Sequence, residues 1–264
     1  MTYFGFLLLF LGVPILGLLV LTAWDRRKNR LLPEFRRGIP AGVTLLIHVL
    51  VAVLYTTLWD NYLVATGVWF YNPELVTGIT LGWVPLEEYT FFILQTLMTG
   101  LWFLLLARRV PQRKDLRHAG WRYRIVPTIF LGITWALSLF LFLSGWKPGT
   151  YYGLIILWAL PPIMLQFFFG GDILWREKKI VGLTIFTATL YLSITDSLAI
   201  GSGTWTIDPM QSLNIFLGGI LPLEELIFFL VTNCLIVFGM TLFLAKESRD
   251  RFESMIRKNR KLNE

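Results

Sequence analysis

Two pairs of adjacent glutamates stand at the head of long apolar runs. The first is in Trp83-Val84-Pro85-Leu86-Glu87-Glu88-Tyr89-Thr90-Phe91-Phe92 and the second in Leu221-Pro222-Leu223-Glu224-Glu225-Leu226-Ile227-Phe228-Phe229. Charge is costly in hydrocarbon, so carboxylates placed there mark a functional site by default. On a helix, Phe91 and Phe92 share faces with Glu87 and Glu88, as Phe228 and Phe229 do with Glu224 and Glu225. Two further acids, Asp60 and Asp196, fall at the same ends of their own apolar runs, and Gln95 and Asn233 continue the polar faces roughly two turns deeper. Crowded, partly desolvated carboxylates cannot all ionise, and one that keeps its proton can serve as a general acid. Aromatic faces attract cations, by about 2 kcal/mol or more when desolvated. Acids beside these phenylalanines and beside Trp69, Trp83 and Trp205 could therefore protonate an apolar substrate and stabilise the carbocation formed. A blander account competes: glutamates in a first helical turn satisfy the helix dipole, and Trp at a membrane interface serves as an anchor.

The elements that carry these residues are membrane helices. Of 264 residues, 55% are hydrophobic and 16% charged, a balance too apolar for a water-soluble domain. Runs long enough to cross a bilayer, roughly 20 residues each, fall at about 3–24, 40–59, 82–107, 125–146, 150–170, 180–200 and 217–245. Backbone groups in lipid must bond within their own segment, so all seven are expected to be helices. Pro85 and Pro222 mark the starts of the third and seventh. The single Cys234 builds no disulfide or thiolate site, and His48 and His118 are too few for a histidine metal centre, so no metal is expected.

All 24 basic residues except Lys147 lie in alternate connections and the C-terminal tail, which by the positive-inside rule puts the N-terminus outside and the C-terminus in the cytoplasm. The net charge of +7 is thereby explained by orientation, with anionic headgroups as an added partner and no need for nucleic acid. The expected location is the cell (plasma) membrane, crossed several times.

The chain also repeats itself. Asp60, Gly67, Trp69 and Pro73 match Asp196, Gly203, Trp205 and Pro209 at an offset of 136. One inserted residue then aligns Pro85 with Pro222 and carries the match through both glutamate and phenylalanine pairs. Upstream, Tyr3-Phe4-Gly5 with Pro14-Ile15 answers Tyr151-Tyr152-Gly153 with Pro162-Ile163 at an offset of 148. The predicted architecture is all-α and transmembrane. It comprises a three-helix unit over 1–107, a basic loop and connecting helix over 108–149, a second three-helix unit over 150–245 and a basic tail over 246–264. The connector restores orientation, making the repeats parallel about an axis along the membrane normal, with the two Pro-Leu-Glu-Glu helices facing or flanking each other at equal depth.

With these duplicated motifs the sequence resembles the membrane-embedded lycopene cyclases of the heterodimeric type, here in the fused single-chain form. The resemblance covers nearly the whole chain. It implies isomerisation of linear lycopene, through γ-carotene, to β-carotene, without net redox change and without flavin or any other cofactor. No Gly-x-Gly-x-x-Gly motif occurs. In that scheme one of Glu87, Glu88, Glu224 and Glu225 protonates the terminal double bond and a second carboxylate takes the proton lost on ring closure. Asp60 and Asp196 tune them, and Trp69, Trp83, Phe91, Phe92, Gln95, Trp205, Phe228, Phe229 and Asn233 hold the substrate. The implied partners are a linear carotenoid and membrane lipids, with a homo-oligomer or other carotenoid enzymes left open. The main alternative is a proton-coupled transporter, for which repeats and buried acids are equally apt, though it needs a polar path across the whole membrane. An iron-dependent oxygenase would need more histidines, and a retinal-binding receptor a lysine in the last span.

Overall fold

The computed structural model describes residues 1–111 and 120–263, with side chains described as far as Arg257. His118 and the basic residues Arg113, Lys114 and Arg117 lie outside the described residues. Among the described residues, seven helices are long and apolar enough to cross a membrane. They are α1 (Tyr3–Arg27), α2 (Ala41–Ala65), α3 (Leu86–Arg109), α4 (Arg122–Leu143), α5 (Thr150–Arg176), α6 (Lys178–Gly201) and α7 (Leu223–Leu244). An eighth helix, α8 (Lys246–Asn263), follows at once, so the basic tail is helical.

Burial ranks the spans. In α3 and α7, 67% of the apolar window is buried, whereas in α4 the figure is 6%. The helices that carry the glutamate pairs are therefore central, and α4 packs chiefly along α5. Gly171 permits that contact, since a Cβ there would come within 2.2 Å of the Tyr123 carbonyl oxygen.

The helix ends differ from the sequence expectation in ways that matter. α2 continues past its expected end to Ala65, so Asp60 lies inside the helix, as Asp196 does in α6, which ends at Gly201 close to expectation. α3 and α7 begin at Leu86 and Leu223, later than 82 and 217, because the preceding residues fold back as hairpins. Strand β2 (Thr80–Leu81) pairs with β3 (Val84–Pro85), and β5 (Phe216–Leu217) with β6 (Leu221–Pro222). The turns use Gly82 at φ 71° and Gly219 at φ 75°, a region glycine enters without strain. Pro85 and Pro222 are the N-caps themselves.

A third pairing links the two halves. Strand β1 (Trp69–Tyr71) runs antiparallel to β4 (Trp205–Ile207). The ladder is closed by Asn72 N–H to the Thr204 carbonyl (3.1 Å) and Asp208 N–H to the Val68 carbonyl (2.9 Å), the same bond given once by each half. At the opposite end of the bundle the charges form ion pairs. Arg36 meets Glu177, Arg109 meets Asp25, and Arg251 on α8 meets Asp172 on α5 at 2.7 Å.

Candidate active site

Each hairpin delivers its helix start to the outer loop in one fixed way. Leu86 N–H bonds the Ile79 carbonyl and Leu223 N–H the Ile215 carbonyl, both at 2.8 Å. The first glutamate of each pair then turns back to the loop. Glu87 accepts from the Thr77 N–H at 2.6 Å, and Glu224 accepts from the Leu213 N–H at 2.6 Å and the Ser212 hydroxyl at 3.0 Å. Backbone N–H groups are obligatory donors, and by accepting from them these two carboxylates fasten the loops to the helix starts.

The second glutamate of each pair faces the interior. Glu88 accepts a hydrogen bond from the Tyr3 hydroxyl, and Glu225 accepts one from the Tyr151 hydroxyl at 2.7 Å. Tyr3 sits in the first turn of α1, where Thr2 caps the helix and the Tyr3 N–H bonds the Leu75 carbonyl. Tyr151 occupies the same place in α5.

Glu88 and Glu225 lie within electrostatic reach of each other, Asp60 of Glu88, and Asp196 of both. All six acids are at most 3% exposed. Both carboxylate oxygens of Asp60 and one of Asp196 have no hydrogen-bond partner, and among the described residues no Lys, Arg or His pairs with any of the six. Taking several ionised carboxylates out of water without counter-charge is prohibitively costly. Tyr71, the last residue of β1, lies within electrostatic reach of Asp60 and Glu88. Burial, with those charges, pushes its phenol well above the ordinary value, so it stays neutral.

Aromatic rings surround the acids. Trp205 packs on Tyr3 at 4.8 Å, and Trp69 on Tyr151 at 5.9 Å and on Phe228 at 6.4 Å between ring centres. Phe228 stacks with Trp59 and Trp158, while Phe91 meets Phe92 and Phe229 edge-on. Gln95 bonds Thr232 (2.9 Å), and Asn233 accepts from Thr99 (2.8 Å) and donates to Thr189 (3.1 Å), so these polar groups join α3, α6 and α7. Trp83 is not brought in: its side chain is 67% exposed.

Below the rings opens an apolar cavity of about 640 Å³ between α2, α5 and α7. Its outer end is bounded by Thr56, one turn before Asp60, and Phe228, one turn after Glu225, together with Trp158, Phe92 and Gln95. No acid lines it; the aromatic layer stands between. Its inner end is lined by Ser248, Arg249 and Phe252 of α8. Among the described residues no group of three His, Cys, Asp or Glu side chains is arranged to hold a metal ion.

The sequence reading missed Tyr3, Tyr71, Tyr151, Trp59 and Trp158 as site residues. For Tyr3 and Tyr151 the signal was present, since the repeat pairs them. Only the fold shows that the start of the first helix of each unit meets the start of the third.

No family model and no solved structure matches the chain. Curated relatives do. It is 36% identical over 245 residues to lycopene beta-cyclase of Halobacterium salinarum, covering 92% of this chain and 95% of that one. It is 40% identical over 212 residues to the bifunctional lycopene cyclase/phytoene synthase of Phaeosphaeria nodorum, and 38% identical over 201 residues to that of Podospora anserina. Those matches cover 75% and 74% of this chain and 35% and 34% of the longer fungal proteins. Matched over almost its whole length, the chain belongs to the lycopene cyclase family.

Proposed function

We propose that this protein is a flavin-independent lycopene beta-cyclase that closes the ψ-ends of lycopene into β-ionone rings, by way of γ-carotene. The observation that carries the reading is a cluster of buried carboxylates without counter-cations, set behind an aromatic layer at one end of an apolar cavity.

Of the four glutamates, Glu88 and Glu225 are the proton-handling pair, and Glu87 and Glu224 hold the loops. One protonated member gives its proton to the terminal double bond of an end group. The cation this creates is attacked by a neighbouring double bond, which closes the ring. Loss of a ring proton to the other carboxylate restores neutrality, so one proton enters and one leaves. Asp60 and Asp196, beside Glu88 and Glu225, tune the proton affinity of that pair, and the rings of Trp69, Trp205 and Phe228 stabilise the cation and exclude water. Fixed charges in a dry site act without reorganisation at the moment of reaction, so they contribute a large share of the rate.

The chain lies in the plasma membrane with its N-terminus outside and its two three-helix units parallel, a placement supported by the one-sided distribution of basic residues. The transporter alternative finds no support among the relatives. Expression in a lycopene-accumulating host, followed by pigment chromatography, is the test. New pigments of unchanged mass and cyclic end groups are expected. Unchanged lycopene beside a folded protein would remove the reading.

A further inference from the structure

Two matching three-helix junctions run down the bundle, one in each half of the repeat, and each would form a groove if left unfilled. In one, α2 and α5 rest on α7; in the other, α6 and α1 rest on α3. Their outer ends are bridged alike. Tyr55 donates its hydroxyl hydrogen to the Trp158 carbonyl, and Tyr191 donates to the Phe10 carbonyl, both at 2.8 Å and at matching positions.

Deeper in the membrane the grooves part company. Where α7 carries Gly239, the matching position of α3 carries Trp102. The Trp102 indole N–H donates to the Thr187 hydroxyl on α6 at 2.8 Å, so the ring bridges α3 and α6 where the other half leaves open space. Gly239 has no side chain, and a Cβ there would lie 2.1 Å from His48 Nε2, so the imidazole lies directly against the α7 backbone. His48 and Gly239 both line the open cavity. At the position matching Thr187 stands Val51, which also lines the cavity and offers no polar partner across it.

The cavity wall on α7 runs from Phe228 to Phe243, a length of roughly 22 Å at 1.5 Å per helical residue. A linear polyene lying along it has one end at the aromatic layer in front of the acids and the other near α8, far from any carboxylate of the cluster.

We infer that the molecule has a single substrate cleft, because Trp102 fills its twin, and that only one end of a linear carotenoid is cyclised per visit. The cleft meets the cluster from the side of Asp60 and Glu225. A second ring therefore requires the monocyclic product to leave into the bilayer and return end for end. This rests on the cyclase reading, and it adds stoichiometry and reaction order to it.

The test uses the full chain in lipid nanodiscs, with lycopene as the probe. Val51→Trp and Leu165→Trp fill the cleft from positions that are 56% and 70% exposed, where folding tolerates a larger side chain. Trp102→Phe removes the bridge on the other side. Wild-type protein is expected to bind one lycopene per chain. The cleft variants lose binding and conversion at least tenfold, and Trp102→Phe changes conversion less than twofold. With lycopene in excess, monocyclic product exceeds bicyclic at least tenfold until the lycopene is consumed. Two lycopenes per chain, full conversion by both cleft variants, or a constant bicyclic share from the first turnovers would overturn the inference. Pigment bound at one per chain but never converted by wild-type protein would instead sink the cyclase reading and leave the single cleft standing.

Discussion

The two halves of this molecule agree closely at the outer face and disagree beneath it. At the outer face each half supplies a hairpin, a proline cap, a loop-holding glutamate and a tyrosine bonded to the next glutamate, at matching positions. Beneath it, Gly239 faces Trp102 in the alignment, Val51 faces Thr187 and Trp158 faces Phe10. Even in the cluster the match is incomplete: Tyr71, beside Glu88, corresponds to Ile207, and Ser212, bonded to Glu224, corresponds to Val76. Duplication is thus retained where two halves are needed to bring carboxylates together, and lost where only one groove is needed to hold a substrate.

The sharpest way to break this comparison is to remove one proton carrier at a time. Glu225→Gln and Glu88→Gln are each expected to lower lycopene turnover by roughly 10²- to 10⁴-fold, the usual contribution of a general acid or base, with the protein still folded in the membrane. Pigment analysis against protein content measures this. Retained activity in either variant would mean that one half suffices.

Next in size are the phenols. Tyr151→Phe and Tyr3→Phe each delete a hydrogen bond to a carboxyl group, of the order of 1.5–3 kcal/mol when the partner is charged, or roughly 10- to 100-fold in rate. A shift in the pH–rate profile separates this effect from simple loosening of the fold. Tyr71 breaks the symmetry, so Tyr71→Phe tests whether the Glu88 side depends on its extra neighbour. Burial holds the Tyr71 phenol well above its ordinary value, so in wild-type protein no loss of activity traceable to its ionisation sets in below about pH 10.

The loop-holding glutamates should register in stability more than in chemistry. Glu224→Ala leaves the Leu213 N–H and the Ser212 hydroxyl without their acceptor, whereas Glu87→Ala leaves only the Thr77 N–H. The buried Ser212 hydroxyl left unsatisfied costs about 1–3 kcal/mol, whereas the exposed Thr77 can turn its N–H to water, so Glu224→Ala is the more costly change. Thermal unfolding in detergent orders the pair, and a larger loss for Glu87→Ala would contradict the assignment.

Much of this was legible in the chain. Hydropathy alone places seven spans, because lipid allows few alternatives to a helix, and the duplicated Pro-Leu-Glu-Glu motif marks both helix starts. Three things were not legible. The division of labour within each glutamate pair depends on which loop amide lies within reach, and sequence spacing treats Glu87 and Glu88 alike. The tyrosines come from a different helix, so no local pattern joins Tyr3 to Glu88. The groove asymmetry needs the packing partner: Trp102 reads as one more aromatic until Thr187 is seen across from it.

The smallest expected effect concerns the residue that the motif suggested and the fold sets apart. Trp83 lies in the turn between β2 and β3, and its counterpart Ile220 is likewise exposed. Its structural bond is made by its backbone, N–H to Asn61 Oδ1 at 2.8 Å, and any residue but proline would keep that bond. Trp83→Ala removes a ring that touches none of the aromatic pairs around the acids, so it should change stability by no more than about 0.5 kcal/mol, as for other surface sites. Turnover should change less than about twofold. An exposed indole at this depth suits the headgroup region, and its loss would show as weaker seating in the bilayer with catalysis intact. A tenfold fall in turnover at unchanged protein level would instead mean that Trp83 swings inward during the reaction, and the outer face would then be asymmetric too.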